Sequence, residues 1–216
     1  MSNTMLQIVV LAAIAVFLIM RLRGVLGTRD GFERPPQPSQ PAIPAQRRND
    51  QGDEAASDVL DHAQPGSPAA AALTAMQRAE PSFAVGPFLS GARQAYEMIL
   101  TAFEKGDLSE VRPFLAPQVA EAFDGVIAQR QARGITSDVQ YLGTRETALE
   151  GAEFDPATGL GEVSVRFVGE LIAAQRDAEG NVVDGDPRAA RKQRDIWTFA
   201  RRMGQSDPNW QLVATA

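Results

Sequence analysis

FLSGARQAYEMILTAFEKGDLSEVRPFLAPQVAEAFDGVIAQRQARG, residues 88–134, decides the architecture. Ala92, Ala95, Tyr96, Ile99 and Phe103 recur at i, i+3, i+4, i+7 and i+11, so they lie on one apolar stripe of an α-helix. Gly106 supplies the residue type that tolerates a left-handed C-cap and predicts the stop. A short turn through Pro113 leads to residues 117–133, where Val119, Phe123, Val126 and Ile127 share a second helical face and Gly134 ends it. Two stripes in tandem predict a helix pair packed on a common core.

Downstream of Gly134 the apolar period shifts from 3.6 toward 2. Residues 138–149, 161–176, 191–202 and 209–215 read as strands, separated by DPATG, DAEGN, DGDP and SDPN turn chemistry, with Asp184 and Asp186 in DGDP read as turn formers or, alternatively, as a weak cation site. In the second strand Val163, Val165, Phe167 and Leu171 point one way and Ser164, Arg166 and Glu170 the other, which predicts one buried and one wet face. Helices first, then an antiparallel meander with no βαβ alternation, predict an α+β domain with the helices on one face of a curved four-stranded sheet.

Upstream, PAAAALTAMQRA has high helix propensity but few large apolar groups, and reads either as a marginal helix that docks on the domain or on something else or as plain Ala-rich linker. Residues 28–68 are rich in Pro, Gln, Asp and Ser and bury too little to offset chain entropy; they are expected to form a disordered, semi-extended linker. The run LQIVVLAAIAVFLIM before Arg21 and Arg23 is uncharged, and about 17 residues at ~1.5 Å each cover about 26 Å of a ~30 Å hydrocarbon core. Residues 4–22 are therefore expected to form a transmembrane helix. No basic residue precedes the run and Arg21, Arg23 and Arg29 follow it, unlike a cleaved signal, which places the N-terminus outside and the remainder in the cytoplasm. The expected organisation is a span at 4–22, a linker at 28–68 and an α+β domain at 69–216 with its core at 88–216.

The chain has no cysteine, so disulfides, thiolate metal sites and cysteine nucleophiles are excluded. Its one histidine, His62, falls in the linker stretch, which argues against a metal site or a histidine relay in the domain. Net charge is −6, and nucleic acid is a poor direct partner for such a surface. Arg191, Lys192 and Arg194, with Arg188 nearby, form the one basic cluster. It reads either as a solvated strand face or as a contact for anionic lipid or an acidic partner. No phosphate-cradling glycine loop is present.

Phe88, Gly91, Ala92, Tyr96, Ile99, Phe103, Gly106, Asp107, Leu115, Phe123 and Arg130, followed by Asp195, Trp197, Thr198, Phe199, Arg201, Pro208, Asn209, Trp210 and Leu212, resemble the C-terminal-domain family of the peripheral adaptor subunit of the mitochondrial inner-membrane import translocase. The likeness runs from about residue 80 to 216 and is closest to the membrane-anchored bacterial branch. It implies a helix pair cradled by a four-stranded antiparallel sheet, cone-like and akin to the nuclear-transport-factor and ketosteroid-isomerase architecture. It also implies non-catalytic adaptor work at the bacterial inner membrane, linked to protein translocation or membrane-complex assembly, with no cofactor and with inner-membrane or cytoplasmic proteins as partners.

Tyr96, Phe103, Trp197, Phe199 and Trp210 are the candidate partner or pocket residues, each also readable as plain core packing. Arg130 and Arg201 either pair with Asp195 or remain exposed. A rival reading, a small-molecule or isomerase-type enzyme using the cone, would need an ionisable group inside it, and Asp138, Tyr141 and Asp195 are the nominees. A third reading is a ribosome- or anionic-lipid-associated membrane factor.

Overall fold

The computed structural model describes residues 57–216. The expected span at 4–22 and most of the linker lie outside the described residues. Among the described residues no helix is long and apolar enough to cross a membrane.

Among the described residues the long helices, α1 (Pro68–Ala79), α2 (Val85–Lys105) and α3 (Pro117–Ala132), precede four strands, β1 (Thr136–Asp155), β2 (Leu160–Arg176), β3 (Val182–Arg202) and β4 (Gln211–Thr215). The strands pair in sequence order as one antiparallel sheet. This is the α+β arrangement the periodicities predict, with a third helix added to the pair. Three long strands with register shifts at Tyr141/Gly143, Thr144/Glu146 and Leu149/Gly151 make a bulged, curved sheet.

The stripe on α2 is longer than the sequence reading. Val85, Phe88 and Leu89 join Ala92, Tyr96, Ile99 and Leu100 in burial, so the helix begins six residues before Gly91. Pro87 is tolerated in this first turn because the amides there have no intrahelical acceptor. Their partner comes from upstream. The Asp58 carboxylate accepts the Val85 N–H, and its Oδ1 accepts the Gly86 N–H at 2.9 Å. Residues 57–62 form a helical turn with Val59 only 2 % exposed and Ala63 also buried. Residues 57–67, counted with the linker on composition, therefore belong to the folded body; short polar stretches carry no sign of a long-range cap. Asp58→Ala is expected to cost about 0.5–2 kcal/mol, the range for a lost helix N-cap. It should also speed amide exchange across 57–63, measurable by hydrogen–deuterium exchange.

The Ala-rich segment docks. Ser67 caps α1 by accepting the Ala70 N–H at 3.1 Å, and Leu73 and Met76, one turn apart, are fully buried. A Cβ on Gly161 of β2 would stand 3.1 Å from Met76 Cε, so the bare glycine lets α1 lie flat on the sheet. At the far end of α2, Gly106 adopts φ 76° and its N–H and that of Asp107 close the helix on Phe103 and Ala102 carbonyls. Gly106→Ala is expected to lose about 1–2 kcal/mol in urea unfolding, because an L-residue is strained in that conformation.

DPATG and DAEGN form the two long hairpin turns: Asp155 accepts from Ala157 N–H and Thr158 Oγ1–H, and Asp177 accepts from the Glu179 and Asn181 amides. DGDP is not a turn. Gln175 and Ala173 of β2 pair with Asp184 and Asp186, so the motif lies inside β3 and makes a bulge through Asp186–Ala190. Gly185 is required there: its φ is 77°, and a Cβ would collide with the Ala173 carbonyl. A bulge and a turn demand the same residue types, so composition cannot separate them.

Candidate functional site

The concave face of the sheet is filled by a continuous aromatic lattice. Tyr96 from α2 stacks on Phe167 of β2 with centroids 4.3 Å apart and planes 9° from parallel, and meets Trp197 of β3 edge-on at 4.7 Å. Trp197 leads to Phe199 at 6.3 Å, Phe199 to Phe88 at 6.2 Å, and Phe88 to Trp210 at 4.7 Å. Such tilted and T-shaped contacts satisfy the ring quadrupoles. Of the five aromatic candidates, Tyr96, Trp197 and Phe199 are buried in this lattice, so they shape the domain rather than present themselves at its surface. Phe103 and Trp210 are only partly buried, and an arginine covers each: Arg130 sits 4.7 Å above the Phe103 ring and Arg201 5.2 Å above Trp210.

Neither arginine reaches Asp195. Arg130 on α3 donates to Glu104 Oε2 at 3.1 Å and to the Phe103 carbonyl of α2, while Ser137 Oγ of β1 donates to the same Glu104 oxygen at 2.7 Å. One carboxylate thus ties α2, α3 and β1 together. Arg201 pairs instead with Glu80, at the end of α1, at 2.6 Å. Asp195 accepts the Tyr96 hydroxyl at 2.6 Å and an amide N–H of Gln193 at 3.2 Å. Burial, and then the facing Asp195 carboxylate, push the Tyr96 phenol far above the ordinary tyrosine range. Contacts across 99 residues of sequence, such as Tyr96 with Asp195, leave no mark in a local pattern.

Beside this lattice, between α2 and β1, a shallow groove of about 260 Å³ is lined by Thr101, Glu104, Lys105, Ser137, Asp138, Val139 and Tyr141. The Tyr141 hydroxyl shares a 2.6 Å hydrogen bond with Thr144, which donates to Glu97 at 2.9 Å; burial raises its pKa, partly countered by the Thr144 contact. Of the three nominated ionisable groups, Asp138 is exposed, while Tyr141 and Asp195 are half-buried and hydrogen-bonded. The structure does not converge the three on one point: Tyr141 and Asp138 line the groove, and Asp195 is held under Tyr96. The groove's polar rim leaves no mark in the periodicity, because Thr101, Glu104 and Lys105 lie off the apolar stripe of α2.

Arg191, Lys192 and Arg194 are exposed on β3. Arg191 flanks a smaller hollow with Glu104, Ser137 and Asp184, on the same face as Trp197 and Phe199. Lys192 and Arg194 alternate onto the opposite, convex face.

Residues 69–216, which hold the three long helices, the sheet and its aromatic lattice, match the family model of the Tim44-like domain. The chain belongs to the Tim44-like domain family. No curated protein matches it. Among solved structures, the intermembrane-space region of the chloroplast protein ARC6 is similar at 11 % identity and a TM-score of 0.36, covering 57 % of this chain and 94 % of that one. The Tim44-like domain here begins at the docked α1, one residue past its N1 proline, and runs through β4.

Proposed function

We propose that this protein is a membrane-anchored, non-catalytic adaptor of the bacterial inner membrane. Residues 4–22 form its single span, the N-terminus lies outside, and the Tim44-like domain works on the cytoplasmic side at complexes that move or assemble proteins. The observation that carries the reading is the joining, in one chain, of a Tim44-like domain to an uncharged apolar run flanked on its C-terminal side by arginines. A Pro-rich tether between them raises the domain's local concentration near membrane complexes without fixing its orientation. The filled aromatic lattice supports surface work: the side chains that would line a substrate chamber in a hollow cone pack against one another instead.

Proximity labelling from the membrane-bound full chain, followed by pull-down from solubilised membranes with and without residues 57–216, tests the proposal. Domain-dependent recovery of the same membrane-complex proteins in both supports it. Release of the intact protein by carbonate washing, or recovery that ignores the domain, overturns it.

A further inference from the structure

Among the described residues both outer strands of the sheet carry open edge, β1 along its length and β3 beyond the short β4, and the β3 edge is the one that concentrates unpaired cations. β4 covers β3 only from Trp197 to Ala200, and the Ile196 N–H and C=O both bond to Ala216 at 2.8 Å. From Asp195 back to Val182, no described residue pairs with the outer side of β3, whose other side is engaged by β2 on both flanks of the Asp186–Ala190 bulge. Antiparallel strands alternate the direction of their backbone groups, and the β2–β3 register is regular from Ala190 to Arg202. Because Ile196 faces outward, Arg194, Lys192 and Ala190 do so as well, each presenting an N–H and a C=O to an added strand.

The same stretch concentrates cations that hold no ion-pair partner among the described residues, although Glu104 and Asp184 share a hollow with Arg191. Arg93, Arg112, Arg130, Arg145, Arg166 and Arg201 each hold a carboxylate. Arg188, Arg191, Lys192 and Arg194 make no ion pair among the described residues. Lys192 stands directly across from Glu170, but that carboxylate is held by Arg145 at 2.7 Å. Edge cations commonly guard a sheet against self-pairing, and they do so here: a second copy of β3 laid alongside would bring like charges together. What repels a copy attracts an acidic strand. Arg191 on the concave face and Lys192 and Arg194 on the convex face bracket the edge, so an incoming strand meets cations on both sides.

We infer that the outer edge of β3 at Ala190–Arg194 is a docking site for an extended acidic segment of a partner protein, which adds to the sheet as an antiparallel strand with its carboxylates over Arg191, Lys192 and Arg194. This names a surface for the adaptor reading and rests on it. Main-chain pairing supplies attachment and the cations supply selectivity.

The test uses the full chain in detergent micelles and a fluorescein-labelled synthetic peptide, TVEEVEEVTV, read by anisotropy. Three further peptides serve as comparisons: TVKKVKKVTV, and the acidic peptide N-methylated on either of its two alternating sets of residues. The acidic peptide is expected to bind and the lysine peptide not to. One N-methylated set should abolish binding and the other leave it within about twofold, since only one set of amides faces β3. Reversing Lys192 and Arg194 to Glu, both exposed, should weaken binding about tenfold with an unchanged circular dichroism spectrum.

Equal effects of the two N-methylated sets overturn strand addition. So does protection of the Lys192 and Arg194 amides from exchange before any peptide is added, which means the chain already fills its own edge. Binding of phosphatidylglycerol vesicles through these cations, without peptide binding, reassigns the patch to lipid and also overturns the proposal. If pull-down recovers domain-dependent proteins that the K192E/R194E variant still captures, the adaptor reading stands and the edge assignment falls.

Discussion

Tyr96→Ala is expected to lower stability by about 3–5 kcal/mol, a large share of the roughly 5–15 kcal/mol that holds a domain folded. Tyr96 is fully buried and touches Phe167, Trp197 and Tyr141 at once. The truncation empties the centre of the lattice and strips Asp195 of its shortest hydrogen bond. Urea unfolding of the isolated variant measures the loss; a cost under about 1 kcal/mol would mean the lattice repacks freely, contrary to the close packing of protein interiors. Tyr96→Phe separates the ring from the hydroxyl. It should cost about 1–2 kcal/mol at neutral pH, the penalty of removing one partner of a buried hydrogen bond.

The two forms also differ in alkali. The Tyr96 pKa is raised in the folded state, so folding favours the protonated phenol. Its contribution is complete below the unfolded tyrosine pKa of about 10 and declines as pH rises beyond it, where the unfolded chain ionises first. The wild-type protein should therefore lose more stability than Tyr96→Phe above about pH 10. A residual slope from Tyr141, also raised, is expected in both.

Local patterns carried the elements whose signals are local. The α2 stripe, the Gly106 stop, the alternating faces of β2 and the DPATG and DAEGN turns follow from residues within a few positions of one another. The misses have a common physical origin. Asp58 caps α2 from 27 residues away, and Met76 finds its place only because Gly161 leaves room on β2. DGDP reads as a turn until the register shows β2 still paired beside it. For the candidate site, sequence alone marked the basic run at 191–194, but its meaning depends on where β4 stops, which no composition records. Tyr96, Trp197 and Phe199 were conspicuous as aromatic positions; only packing tells a pocket wall from a core.

Arg201→Met is expected to cost about 1.5–3 kcal/mol, because it takes the cation from a largely enclosed carboxylate and removes a charged hydrogen bond. The pair joins the two ends of the domain: Glu80 closes α1, and Arg201 lies near the end of β3, 121 positions later. Both side chains are mostly enclosed, at 8 % exposed for Arg201 and 16 % for Glu80. The second Glu80 oxygen accepts the Gly204 N–H at 2.9 Å, so the carboxylate also fastens the turn between β3 and β4. Arg201 Nε has no hydrogen-bond partner, so the guanidinium is held by Glu80, by the Asp207 carbonyl at 3.5 Å and by the Trp210 face.

Glu80→Gln should then be nearly as damaging as Arg201→Met, while Glu80→Leu combined with Arg201→Met should cost clearly less than the sum of the single changes, since the double variant strands no charge. Burial alone would raise the Glu80 pKa, but the Gly204 amide and Arg201 outweigh it and hold the carboxyl below its usual range. The contribution is thus present above the unfolded value of about 4.3 and fades as pH falls through the lower folded value. Acid titration of stability should show a steeper decline below about pH 4.3 in the wild type than in Glu80→Gln. Parallel acid profiles, or additive single and double costs, would show the clasp to be an ordinary surface pair.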